Sequence, residues 1–319
     1  MTSPLVEFTQ VSVTYGRGVR ALHDVSLCIA KGEILGLVGE SGSGKTTLCR
    51  VLVGLTVPSS GKVTLGGKSV SDCLREQPLA FRRRVQMLLQ DAVASLSPRM
   101  PIGRILAEPI AIHHLPEAPT RERLRGILER LGLSADVLAK FPHQISGGQA
   151  RRVGVARALL MQPELIIADE PTAGLDVSVQ GELLNLLLDL HREFGLTYLL
   201  VSHNLNVIRR VTTRTAVMYL GQIVEEAPTA SLFVRPAHPY AAALVSTNPA
   251  VDPARRAHRI VLQGEIPSGV SPPTGCRFHT RCPVAQPGCA HEEPALRDLG
   301  EGRRVRCHHP YTLPLRSFP

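Results

Sequence analysis

The stretch with the densest chemistry is Gly39-Glu40-Ser41-Gly42-Ser43-Gly44-Lys45-Thr46-Thr47. A glycine, four residues and then Gly-Lys-Thr is the spacing of a phosphate-binding loop. Gly39, Gly42 and Gly44 let the backbone turn tightly and aim its N–H groups inward. Those donors and the start of the following helix make an anion site, to which Lys45 adds a mobile positive charge. Thr46 offers a hydroxyl to a magnesium ion bridging the phosphates. A Gly/Ser-rich turn that merely precedes a helix is the simpler alternative. Lys45 and Thr46 in their places, with an apolar strand-like run at 33–38 in front, argue against it.

Two further groups carry chemistry. Residues 165–168 are apolar and end in Asp169-Glu170. A carboxylate at the phosphate end of a sheet can hold the magnesium shell, through Thr46 or water, and places Glu170 beyond the metal near an attacking water. Ser146-Gly147-Gly148-Gln149 stands directly before a helical run, a second phosphate-binding design in one chain. One chain needs one γ-phosphate site, so this set is expected to act on a partner's nucleotide. His203 follows a strand and sits where a sheet's carboxyl edge would be.

The elements around these groups alternate. Residues 5–38 give short strands whose imperfect apolar alternation at Val6, Phe8, Val11 and Val13 predicts a bulge. Residues 98–141 predict helices broken by prolines at 101, 109, 116 and 119, an inserted helical lobe. Strands are expected at 85–89, 165–168 and 197–201, helices at 148–160, 179–193 and 204–210, and a hairpin over 215–225. Strand–helix alternation around a phosphate loop predicts an α/β fold with a mostly parallel sheet. With 319 residues, two domains are expected, and 44% apolar residues suffice for a core. No run approaches the length of a membrane span, the N-terminus lacks the pattern of an export signal, and a cytoplasmic chain is expected. The net charge of +9 lies largely in short groups such as Arg82-Arg83-Arg84 and Arg303-Arg304. No nucleic-acid motif organises them, and the absence of Trp argues against stacking platforms.

The phosphate loop, Ser146–Gln149, the strand ending in Asp169-Glu170, and His203, in that order, resemble the ATPase subunit of an ATP-binding cassette transporter over residues 5–235. The resemblance implies a P-loop NTPase core with an N-terminal antiparallel β subdomain, a helical subdomain at about 91–160 and a small irregular C-terminal extension. It assigns ATP and magnesium as cofactors. It further implies that Tyr15 stacks on adenine, that Gln90 contacts magnesium and the attacking water, that Asp176 lies in a dimer loop, and that His203 senses the γ-phosphate. Departures are modest: Ala92 replaces a usual proline, Ala150-Arg151 replaces Arg-Gln, and Asn204 replaces the commoner aspartate beside His203.

Residues 236–319 change character, with more Pro, Gly, Cys and His, and form the expected second domain. Pro236-Ala237-His238-Pro239-Tyr240 and the stretch from Pro272 through Cys276 and Cys282 to Pro283 resemble the extension of dipeptide, oligopeptide and nickel importers. The resemblance implies import of a di- or oligopeptide, or of nickel or another small solute, from the cytoplasmic face of the inner membrane. The partners are then a second ATPase subunit, identical or related, two permease chains and an extracytoplasmic binding protein, with no nucleic acid. A non-transport ATPase acting on nucleic acid or the ribosome is the competing class; the long coiled-coil insertion or duplicated cassette usual there is not seen. Cys276, Cys282, Cys289 and Cys307 cluster in this region, and four thiols in a cytoplasmic chain argue for metal rather than disulfides. A [4Fe–4S] cluster, as the resemblance also implies, zinc, and no metal all stay open. Because these cysteines lie far along the sequence from Lys45 and Glu170, a bound group is expected to order the tail rather than to touch ATP chemistry.

Overall fold

The computed structural model describes residues 3–16, 18–247 and 259–313. Strands β1 (Val6–Tyr15), β2 (Val19–Ile29) and β3 (Ile34–Val38) lead into helix α1 (Lys45–Leu52), then β4 (Ser60–Leu65) and β5 (Lys68–Ser69). Helices α2 (Val70–Glu76) and α3 (Pro78–Arg84) precede β6 (Val85–Leu88). Helices α4 (Ile102–Ile112), α5 (Glu117–Arg130) and α6 (Gly147–Leu160) are followed by β7 (Leu165–Asp169), α7 (Val177–Phe194) and β8 (Thr197–Val201). The chain continues through α8 (Leu205–Val211), β9 (Arg214–Tyr219), β10 (Gln222–Pro228), α9 (Thr229–Val234) and α10 (Pro239–Ser246) to a hairpin of β11 (Arg297–Gly300) and β12 (Arg303–Val305).

These elements fall into two compact units. The first holds residues 1–30, 34–70 and 200–319. In it β1 pairs antiparallel with β2 and β4, and register shifts between Phe8 and Val11 produce the bulge that the broken alternation predicts. Strand β3 is buried along its whole length and runs parallel to β9, which turns into β10 as the expected hairpin. Residues beyond 235 extend this same architecture. Strand β12 pairs antiparallel with β10, and α10 is buried over most of its length. Glu225 on β10 is fully buried, yet its carboxylate accepts the Ala237 and His238 N–H groups at 2.9 and 2.7 Å and pairs with Arg303. A buried carboxylate is tolerated when donors surround it, and here they come from the segment it anchors.

The second unit holds residues 31–33 and 71–199. Its strands stand in the order β8-β7-β6, with β6 and β7 parallel. Helix α6 packs against both α4 and α5, and Ile105 and Leu106 of α4 and Ile127 and Leu128 of α5 are buried. Two of the prolines expected to break this region do not. Pro109 lies inside α4, and Pro119 falls in the first turn of α5, where a backbone N–H has no helical partner to lose. Among the described residues, no helix is long and apolar enough to cross a membrane.

Candidate functional site

In the first unit, the buried strand β3 delivers the chain into the loop at 39–44, and α1 begins at Lys45. Two glycines are required by close approach. A Cβ on Gly39 would stand 2.2 Å from the Met218 carbonyl oxygen, and one on Gly44, at φ +106°, would stand 2.5 Å from that of Ala21. Gly44 is also the N-cap of α1 and supplies no side-chain cap to its first N–H groups. Lys45 Nζ donates to the Gly39 and Glu40 carbonyls at 2.7 and 2.8 Å and to Ser43 Oγ at 3.3 Å. The ammonium is thus held over the loop by neutral oxygen acceptors among its partners, which suits a group that must turn to a phosphate. Ser41, Gly42 and Thr46 are exposed, and Thr47 is half-buried.

Tyr15 ends β1 with its ring partly exposed and its hydroxyl 3.2 Å from Thr56 Oγ1. Burial raises its pKa, but hydrogen bonding to Thr56 and Thr47 and the Arg50 charge outweigh this and leave it below the ordinary value. The ring therefore stands beside α1. His203 is exposed after β8. Asn204, the departure beside it, is the N-cap of α8: its side chain accepts the Asn206 N–H at 3.0 Å, and its own N–H donates to Ser202 Oγ at 3.0 Å. The substituted residue thus holds a defined turn.

In the second unit, β7 buries 165–168 and leaves Asp169 and Glu170 half-buried at its end. Glu170 has φ +49°, unusual for a residue with a side chain. Gln90 Nε2 donates to Glu170 Oε2 at 2.9 Å, joining two residues 80 apart in the chain. Arg151, from α6, donates to the Pro171 and Ala173 carbonyls just beyond Glu170. The signal for Arg151 in the sequence is a cation placed five residues into a helix that starts at a phosphate motif. Ser146 caps α6 through a reciprocal pair: Oγ accepts the Gln149 N–H at 3.2 Å, and Gln149 Oε1 accepts the Ser146 N–H at 3.0 Å. Ser146 and Gly147 are exposed, and Gly148 packs on Val179 of α7. Asp176 is exposed at the start of α7, its carbonyl accepting the Gln180 N–H at 2.8 Å.

The four tail cysteines return to the first unit, with Cys289 and Cys307 buried and Cys276 and Cys282 half-buried. Burial pushes the Cys307 thiol up to about 11, and Cys276, Cys282 and Cys289 each add to the rise. The four thiols therefore share one neighbourhood. Among the described residues, however, no three His, Cys, Asp or Glu side chains are grouped to hold a single metal ion.

Comparison with known proteins places this geometry. Residues 22–173 match the ABC transporter family, and residues 224–289 match the oligopeptide/dipeptide transporter C-terminal region. A probable peptide ABC transporter ATP-binding protein of Sinorhizobium fredii is 45% identical over 91% of this chain and 82% of its own length. A putative oligopeptide transport ATP-binding protein of Bacillus subtilis is 44% identical over 96% of this chain and 95% of its own. Among solved structures, the cbiO1 part of an ABC transporter complex from Clostridium perfringens superposes with a TM-score of 0.67 at 28% identity, covering 72% of this chain and 90% of that one. The chain therefore belongs to the ATP-binding subunits of ABC transporters, which hydrolyse ATP with magnesium, and it carries the C-terminal region of their oligopeptide/dipeptide branch.

Proposed function

We propose that this chain hydrolyses ATP to drive uptake of a di- or oligopeptide through separate permease chains, at the cytoplasmic face of the inner membrane. The observation that carries the catalytic part is the Gln90–Glu170 hydrogen bond, which holds a carboxylate at a strand end for work on a water. In this reading Tyr15 stacks on adenine, residues 39–47 bind the phosphates with the Lys45 charge, and Thr46, Gln90 and Asp169 serve the magnesium ion. Glu170 orients or deprotonates water, and His203 senses the γ-phosphate. Ser146, Gly147, Gly148 and Gln149 act on the nucleotide of a second ATPase subunit, and Asp176 faces that subunit. The exposed, self-capped start of α6 supports this division.

The peptide cargo is supported by the match at 224–289 and by the names of the relatives. Contact with a permease is supported by a groove of about 640 Å³ on α4 and α5, lined by Gly103, Ala107, Ile110, Leu124, Leu128 and Leu138. An extracytoplasmic binding protein would complete the transporter. For the tail, Cys276, Cys282, Cys289 and Cys307 are read as ligands of a [4Fe–4S] cluster, with zinc as the alternative, supported by their clustering in the sequence and by the Cys276 N–H donating to the Cys289 carbonyl at 2.8 Å. Such a cluster would order residues 264–310 and take no part in hydrolysis. Protein purified without oxygen should contain iron and acid-labile sulfide in equal amounts; zinc without either would reverse the choice.

Deleting the gene should abolish growth on di- and oligopeptides, and the wild-type chain but not Glu170→Gln should restore it. Phosphate release by the purified Glu170→Gln protein should fall by about 10²–10⁴-fold with ATP still bound. Loss of nickel uptake with peptide uptake intact would reassign the cargo, and ordinary phosphate release by the variant would remove Glu170 from catalysis.

A further inference from the structure

Glu40, the second residue of the phosphate loop, is held from outside the loop on two of its groups. Its N–H donates to Tyr240 Oη at 2.8 Å. Its carboxylate accepts two bonds from Arg281, from Nη1 at 2.7 Å and Nη2 at 3.1 Å. Both of these partners of Glu40, the acceptor Tyr240 and the donor Arg281, belong to residues beyond 235, and Arg281 directly precedes Cys282. The arrangement is built rather than incidental. The Arg281 side chain is 7% exposed, its guanidinium lies 5.9 Å from the Tyr219 ring centroid, and Tyr219, Tyr240 and Phe278 pack together with centroids 4.7–5.4 Å apart.

A carboxylate is a poor neighbour for a polyphosphate, since like charges in a partly desolvated site repel strongly. A two-pronged guanidinium cancels that charge and fixes the carboxylate's direction at once. The Glu40 carbonyl also accepts a bond from Lys45 Nζ, so a shift of Glu40 moves an acceptor of the loop's own cation.

We propose that Arg281 is a positioning residue for nucleotide binding. Acting through Glu40, it fixes the phosphate loop and neutralises a carboxylate that would otherwise oppose the incoming phosphates. The proposal rests on the reading of residues 39–47 as the phosphate site of ATP. It makes the C-terminal region a determinant of ATP affinity, and not solely of cargo or assembly.

The test is titration of the full purified chain with a fluorescent ATP analogue. Arg281→Gln should weaken binding by about tenfold, with a larger loss at low ionic strength than at high. Arg281→Lys should recover part of the loss, because it restores charge without the fork. The decisive variant adds Glu40→Gln to Arg281→Gln. Removing the uncancelled carboxylate should bring affinity back to within about twofold of Glu40→Gln alone. A tail that is merely unfolded by Arg281→Gln would not be rescued in this way. Wild-type affinity for Arg281→Gln, or a double variant as weak as Arg281→Gln, would overturn the proposal. Lys45→Ala, titrated alongside, separates the two ideas: unchanged binding there would discard the phosphate-site reading itself, whereas its loss beside an indifferent Arg281→Gln would discard only the role of Arg281.

Discussion

Two helix N-termini in this chain are proposed to carry phosphate chemistry, and they are finished differently. Helix α1 begins after Gly44, which has no side chain to cap it, and its cation rests on carbonyls of the preceding loop. Helix α6 begins after Ser146, whose hydroxyl and whose partner Gln149 satisfy one N–H each. An N-terminus without a side-chain cap leaves its donors for an anion to complete, whereas a capping box itself satisfies two donors of the first turn. Under the proposed function, the first is a receptor that a nucleotide finishes, and the second is a preformed surface for another subunit's nucleotide.

The contrast is broken or sharpened most strongly at Lys45. Lys45→Ala should weaken ATP binding by about a hundredfold or more while far-ultraviolet dichroism stays unchanged, since the loss of a charge-assisted phosphate contact compounds with that of its loop bonds. Normal titration by this variant would erase the distinction between the two ends. Ser146→Arg comes next. It should leave ATP binding by the chain within about twofold of wild type but reduce phosphate release by about tenfold or more, because a bulky cation would occupy the space meant for a partner's nucleotide. Equal loss of binding would show that α6 acts on the chain's own nucleotide.

Arg151 gives a smaller effect of the same kind. Its guanidinium holds the Pro171 and Ala173 carbonyls and so pins the turn in which Glu170 adopts φ +49°. Residues in this region of backbone space persist where surroundings over-determine them. Arg151→Ala should lower phosphate release by about tenfold at unchanged ATP affinity, the cost of a carboxylate less well placed. An unchanged rate would mean that Gln90 alone orients Glu170.

How much of this was legible in the sequence follows from the range of each interaction. The phosphate loop and the Ser146–Gln149 box are local: spacing of a few residues fixes them, and the structure forms both. The strand-and-helix alternation was likewise legible, because periodicity is a local property. Pro109 and Pro119 misled because a proline's effect depends on its place in a helix and on the packing that holds the helix, and α4 buries Ile102, Ile105, Leu106 and Ile110. The tail was least legible. Its loss of periodicity reflects anchoring by ion pairs and hairpin bonds in place of an apolar stripe: Arg303 to Glu225, Arg304 to Glu226 and Arg306 to Asp24. Arg281 meets Glu40 across 241 residues of chain. Nothing short of the topology brings those two together.

The smallest expected effect tests whether α6 is finished by its own residues. Ser146→Ala removes the hydroxyl that accepts the Gln149 N–H but leaves the backbone N–H that Gln149 Oε1 accepts. Loss of an N-cap of this type costs about 1 kcal/mol. In a protein of this size that corresponds to a melting shift of about 1–2 °C. Gln149→Ala removes the return bond and should cost less, since the orphaned N–H at position 146 is exposed and water replaces the lost acceptor. Because the two bonds belong to one box, the double variant should lose less than the sum of the singles. ATP binding by the isolated chain should be the same in all three, because the donors concerned are not those that hold its own phosphates. Additive losses would mean that the two bonds act independently, and a melting temperature unmoved by Ser146→Ala would mean that solvent caps this helix as well as serine does.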